Sequence, residues 1–120
     1  MLGADDILAL QKLIRRVPVA DHVVRYALRL ARATRGRADA PAQVSQWVSW
    51  GAGPRASQYL VLGAKTRAVL LGRYAPGIED VRAVAPSVLR HRIVTNFTAE
   101  AEGVKPERII EELLKSVPSE

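Results

Sequence analysis

The 120-residue chain has no cysteine, one methionine and one phenylalanine, and only 5% of it is aromatic. Without cysteine there are no disulfides and no thiolate metal sites. Scarce aromatics that do not alternate with basic residues offer few stacking platforms for single-stranded nucleic acid. No apolar run reaches the roughly 18 residues expected of a membrane span. The start, Met1-Leu2-Gly3-Ala4-Asp5-Asp6, lacks the basic leader of a secretory signal. Together these absences lead us to expect a cytoplasmic protein. Met1 lies almost on a helix start, which suits a piece of a longer chain, and a natural start stays open.

Catalytic patterns are missing too. His22 and His91 are far apart and show no metal-binding spacing. There is no Gly-x-Ser-x-Gly elbow. Leu62-Gly63-Ala64-Lys65-Thr66 imitates a phosphate loop, but Ala64 separates glycine from lysine and the segment falls in a predicted helix. The acidic residues cluster at predicted helix starts, where capping and the helix dipole account for them.

What is present is a core and a charge. Hydrophobic residues make up 48% of the chain. That is enough for one domain with a core of its own. The net charge is +6, so the partners should be anionic.

Periodicity predicts helices over about 5–16 and from Ala20 or Asp21 to Arg35, with Asp21 as a candidate N-cap. Ile7, Leu10, Leu13, Ile14 and Val17 should face a core, as should Val23, Val24, Ala27, Leu28 and Ala31. Pro18 and Gly36 punctuate these helices. Residues 36–46 read as a loop, and Trp47-Val48-Ser49-Trp50 as a short extended piece. A third helix should start at Pro54, run to Leu71, end at Gly72 and be central and largely buried. A fourth is expected over 78–85, broken by Pro86, with room for a short turn of helix through Leu89, and a short strand between Arg90 and Phe97. A last helix is expected over 106–115, closed by Pro118. The class is an all-α bundle of four to five helices, with room for one short two-stranded ribbon.

Two basic features stand out. Arg25, Arg29 and Arg32 share a helix face, extended by Arg35 and Arg37, and could track phosphates or an acidic surface. Gly53-Pro54-Arg55 places an arginine at a predicted helix start. There the first-turn amides and the dipole favour an anion, and the guanidinium fork suits phosphate oxygens. A tolerated surface charge is the plain alternative.

The segment Trp50-Gly51-Ala52-Gly53-Pro54-Arg55-Ala56-Ser57 resembles the Gly-x-Ser-Pro-Arg-Ala-Ser stretch of MoxR-family AAA+ ATPases. Ala64-Lys65-Thr66-Arg67-Ala68, Leu71-Gly72-Arg73-Tyr74, Glu79-Asp80-Val81 and Val88-Leu89-Arg90-His91-Arg92-Ile93 are similar to later segments of that family's lid. So are Ile7-Leu8-Ala9-Leu10-Gln11 and Val17-Pro18-Val19 near the start, and Ala99 to Val104 and Ile109 to Glu112 near the end. The chain departs from the family at Gly53, where serine is common, and around Pro76-Gly77-Ile78, where a Thr-Pro cap is common.

The resemblance implies that residues 1–120 form one C-terminal lid domain, with a nucleotide-binding core upstream. It implies a sensor-2 role for Arg55 at the ATP phosphates, with Gly53 and Pro54 setting the helix start. ATP and Mg would be held mainly by the core. This fragment alone would not be an enzyme, whereas the parent would hydrolyse ATP as a homo-oligomeric ring, commonly a hexamer, and remodel partners. Proteins with von Willebrand factor A domains are among the implied partners. Two rivals remain. One is a basic helical nucleic-acid module, which the apolar third helix argues against. The other is an adaptor with no nucleotide role.

Overall fold

The computed structural model describes residues 4–35, 42–53 and 55–118. Helices α1 (Ala4–Arg16), α2 (Asp21–Ala33), α4 (Ala56–Leu70), α5 (Ile78–Leu89) and α7 (Pro106–Ser116) are the five longer ones. Two six-residue helices, α3 (Ala42–Trp47) and α6 (Phe97–Glu102), accompany a ribbon of β1 (Val48–Trp50) and β2 (Val94–Thr95). The strands are antiparallel, pairing Val48 with Thr95 and Trp50 with Val94 across an irregularity.

Helix α4 is central and packs against α5, α2 and α1. Ala56, Leu60, Ala64 and Ala68 recur every four residues and form its buried seam. Small residues in that seam let neighbouring helices approach closely. Tyr26 and Leu30 of α2, Val81 and Leu89 of α5, and Ile109, Ile110 and Leu113 of α7 complete the core.

Several expectations need correction. Ala20, not Asp21, is the N-cap of α2, and no side chain caps it. The end of the predicted loop folds as α3, which also takes Trp47 from the predicted extended piece. Its Val44 and Trp47, three residues apart, are both buried, and six residues are too few to show a period. Pro86 does not break α5, which runs through to Leu89. A proline inside a helix loses one hydrogen bond and crowds the preceding turn, at a cost of about 3 kcal/mol. Burying Leu89 completely offsets a large part of that, by about 1.5–3 kcal/mol.

Helix α4 is also less buried than its composition suggested, since Leu62, Leu70 and Leu71 are exposed. Leu13, Val24 and Leu28, expected in the core, are exposed as well. Gly36, Arg37 and Pro54, and the side chains of Ile7 and Leu10, lie outside the described residues.

Candidate functional site

The positive end of α4 is fixed by a clamp on the end of α2. The buried Thr34 hydroxyl donates to the Ala31 carbonyl at 2.6 Å and accepts from the Ala52 N–H at 2.8 Å. Arg35 Nε donates to the Ala52 carbonyl at 3.2 Å. Gly51 makes the contact possible. A Cβ there would lie 2.4 Å from the Thr34 carbonyl oxygen and 2.5 Å from Arg35 Cα. Ala52 and Ala56 are buried on either side of Arg55.

Arg55 is therefore held by its backbone while its side chain faces solvent. It has φ −79° and ψ −9° and occupies the N-cap of α4, two positions earlier in the helix than expected. The Ala56 N–H donates to the Gly53 carbonyl at 3.0 Å, and the Tyr59 N–H to the Arg55 carbonyl at 3.1 Å. The guanidinium has no ion-pair or hydrogen-bond partner among the described residues. It stands at the positive end of a 15-residue helix, where an anion is favoured. Gly53 is exposed, and a Cβ there would meet nothing within 4 Å.

A hollow of about 420 Å³ opens beside the first turns of α4, lined by Ser57, Gln58, Val61 and Lys65, with Val24 of α2 and Arg15 of α1. Its lining holds two cations and no carboxylate, so it suits an anion and offers no ligand for a magnesium ion.

The far end of α4 carries a polar network that the sequence reading missed. Gly72, at φ +75°, closes the helix in the left-handed conformation. The Arg73 N–H then donates back to the Ala68 carbonyl at 2.8 Å. This turn delivers the Arg73 side chain to Asp80, the third residue of α5, which is wholly buried. Arg73 binds both Asp80 oxygens, Arg67 reaches Oδ1 at 2.5 Å, and the Gly77 N–H donates to Oδ2 at 2.7 Å. Burial pushes the Asp80 carboxyl up, but the bonds from Arg73, Gly77 and Arg67 outweigh it and hold the group below its ordinary value. The hydrogen bond to Asp80 raises Arg73 above the usual arginine value. Chemically this is a brace that joins α4 to α5. Three of the motif segments quoted above contain its members, which was the available signal.

The other sequence candidates are placed plainly. Lys65 and Thr66 lie inside α4, where the Thr66 hydroxyl donates to the Leu62 carbonyl at 2.9 Å, so no phosphate loop exists there. Arg25 and Arg32 are exposed, whereas Arg29 donates to the Pro118 carbonyl at 3.2 Å and Arg35 is committed to Ala52. The basic stripe is thus partly structural. His22 and His91 are both exposed, on α2 and just after α5.

Residues 40–113 match the AAA lid domain family. Chaperone MoxR1 of Mycobacterium tuberculosis is 36% identical over 122 residues, covering 98% of this chain and 31% of that protein. The uncharacterized protein YeaC of Bacillus subtilis is 26% identical, covering 98% of this chain and 34% of that one. A crystal structure of a presumed ATPase from Cytophaga hutchinsonii superimposes with a TM-score of 0.86 at 33% identity, over 95% of this chain and 35% of that one. The chain thus spans about a third of the length of these relatives.

Proposed function

Because this chain belongs to the AAA lid domain family, we propose that it is the C-terminal lid of a MoxR-type AAA+ ATPase and presents Arg55 to the terminal phosphates of ATP. One observation carries the reading: an unpaired arginine, exposed at the positive end of α4, on backbone clamped to α2. A guanidinium placed before substrate arrives stabilises charge as it develops on transferring phosphoryl oxygens, without reorganising at the moment of reaction. Arg15 and Lys65 add positive potential along the adjoining hollow.

The remaining machinery belongs to a core domain that precedes the lid in the longer protein. That core holds magnesium and most of the nucleotide. Lid closure then couples ATP binding and hydrolysis to chaperone-like remodelling of partner proteins. The assembly is a homo-oligomeric ring, and von Willebrand factor A-domain proteins are candidate partners.

Arg55→Ala in the full-length ATPase tests this. Turnover should fall about tenfold to a hundredfold, because one preorganised cation is lost, while circular dichroism and melting of the lid stay unchanged. Unchanged turnover overturns the sensor role. The nucleic-acid reading has less support, since Arg29 and Arg35 are engaged within the fold.

A further inference from the structure

Away from Arg55, α4 and α5 form an open groove of about 700 Å³. Its floor is apolar, with Leu62, Leu70, Val84 and Val88 prominent. Gly63 lets the two helices close beneath it, since a Cβ there would come within 3.2 Å of Val84 Cγ2. Leu62 is 42% exposed, Leu71 58% and Leu70 72%. All three line this one groove and do not stand singly on the surface.

The charge of the groove is one-sided. Its lining includes two arginines and no carboxylate. Arg67, toward one end, is committed to Asp80. Arg92, at the other, lies 4.6 Å from the Tyr59 ring centre and donates to the Val88 carbonyl at 2.6 Å. These contacts hold its guanidinium in place, and it has no carboxylate partner among the described residues. A desolvating ligand would therefore need to bring an anion to the Tyr59–Arg92 end and apolar groups to the rest.

We propose that the α4–α5 groove receives a short amphipathic helix of a partner protein, apolar along one face and bearing carboxylates at the end that meets Arg92. The dimensions fit. From Tyr59 to Leu71 the groove wall runs about 18 Å, or roughly three helical turns. Its lining comes from two helices and the turn after α5, with no strand edge to pair with an extended peptide. An apolar row at i, i+4 and i+7 would lie on Leu62 and Leu70.

The probe is a fluorescein-labelled designed helix of about 14 residues with that leucine row and two glutamates at one end. Its counterpart carries lysines in place of the glutamates. By fluorescence anisotropy at low salt, the glutamate peptide should bind this chain at least about tenfold more tightly. The preference should shrink in about 0.5 M salt. Arg92→Glu should reverse the ranking, and Leu70→Asp should weaken both peptides while circular dichroism stays native. Equal binding of the two peptides, or a ranking that survives Arg92→Glu, overturns the proposal. So does self-association of the chain that Leu70→Asp abolishes, because the occupant would then be a second copy. None of these outcomes bears on Arg55, whose readout is ATP turnover.

Discussion

Arg73 grips the buried carboxylate of Asp80 through both of its oxygens, from the turn that ends α4. Arg67 and the Gly77 N–H fill the remaining sites on the same carboxylate. The brace ties the last turns of α4 to the start of α5, and α4 carries Arg55 at its other end. Structure at one end of the helix thus supports the proposed site at the other.

Removing that charge should cost stability. Asp80→Asn keeps the shape but weakens the contacts from Arg67 and Arg73 and leaves Arg73 only its exposed pairing with Glu79, so it should destabilise the chain by about 2–3 kcal/mol. Urea unfolding at neutral pH measures this. A loss below about 0.5 kcal/mol would mean the brace is not a stabilising element.

Acid should act through the same group. The folded value of Asp80 lies below its unfolded value of about 3.9. Between the two the unfolded chain binds more protons, so stability rises with pH there. The contribution is complete above the unfolded value and lost as pH falls through the folded one. Urea midpoints measured from pH 7 to pH 3 should therefore show the gap between the native chain and Asp80→Asn narrowing below about pH 4. A constant gap would contradict the assignment.

The clamp before Arg55 makes two contrasting predictions about glycine. Gly51→Ala drives a Cβ into the backbone of Thr34 and Arg35 and should cost about 1–3 kcal/mol. Gly53→Ala meets open space and should change stability by less than about 0.5 kcal/mol. Thermal melts of the pair decide it, and equal effects would refute the close approach.

Thr34→Val should also be harmful. It removes the hydroxyl that joins Ala31 to Ala52 and leaves the Ala52 N–H buried without its partner. The expected cost is about 1–3 kcal/mol, read from the same melts. Faster amide exchange at Ala52 should accompany it.

Much of the fold was legible because its signals are local. The five longer helices carry apolar residues at helical spacing, and Pro18, Gly72 and Pro106 mark boundaries that the structure keeps. Helices α3 and α6 were not legible, because six residues complete too few turns to show a period. Pro86 was given too much weight, since packing of Leu89 carries the last turn of α5 past it. Leu62, Leu70 and Leu71 read as core because composition reports that a side chain is apolar, not whether anything in the chain covers it.

The site was legible in part. Arg55 was singled out from its helix start and family resemblance, and its lack of partners among the described residues is a property of the fold. The clamp on Gly51 was hidden, because it depends on where the end of α2 comes to rest. Asp80 read as a helix-start acid, which is true through its bond from Gly77, but its pairing with Arg67 and Arg73 needs the tertiary approach of two helix ends.

The central claim is that the side chain of Arg55 acts on nucleotide. Steady-state ATP turnover of the full-length ATPase, at saturating ATP, should be compared for the native protein, Arg55→Lys and Arg55→Ala. Lysine keeps the charge and loses the fork, so Arg55→Lys should fall between the other two, with Arg55→Ala lowest by about tenfold to a hundredfold. Three equal rates, with the lid folded in each, would contradict the account.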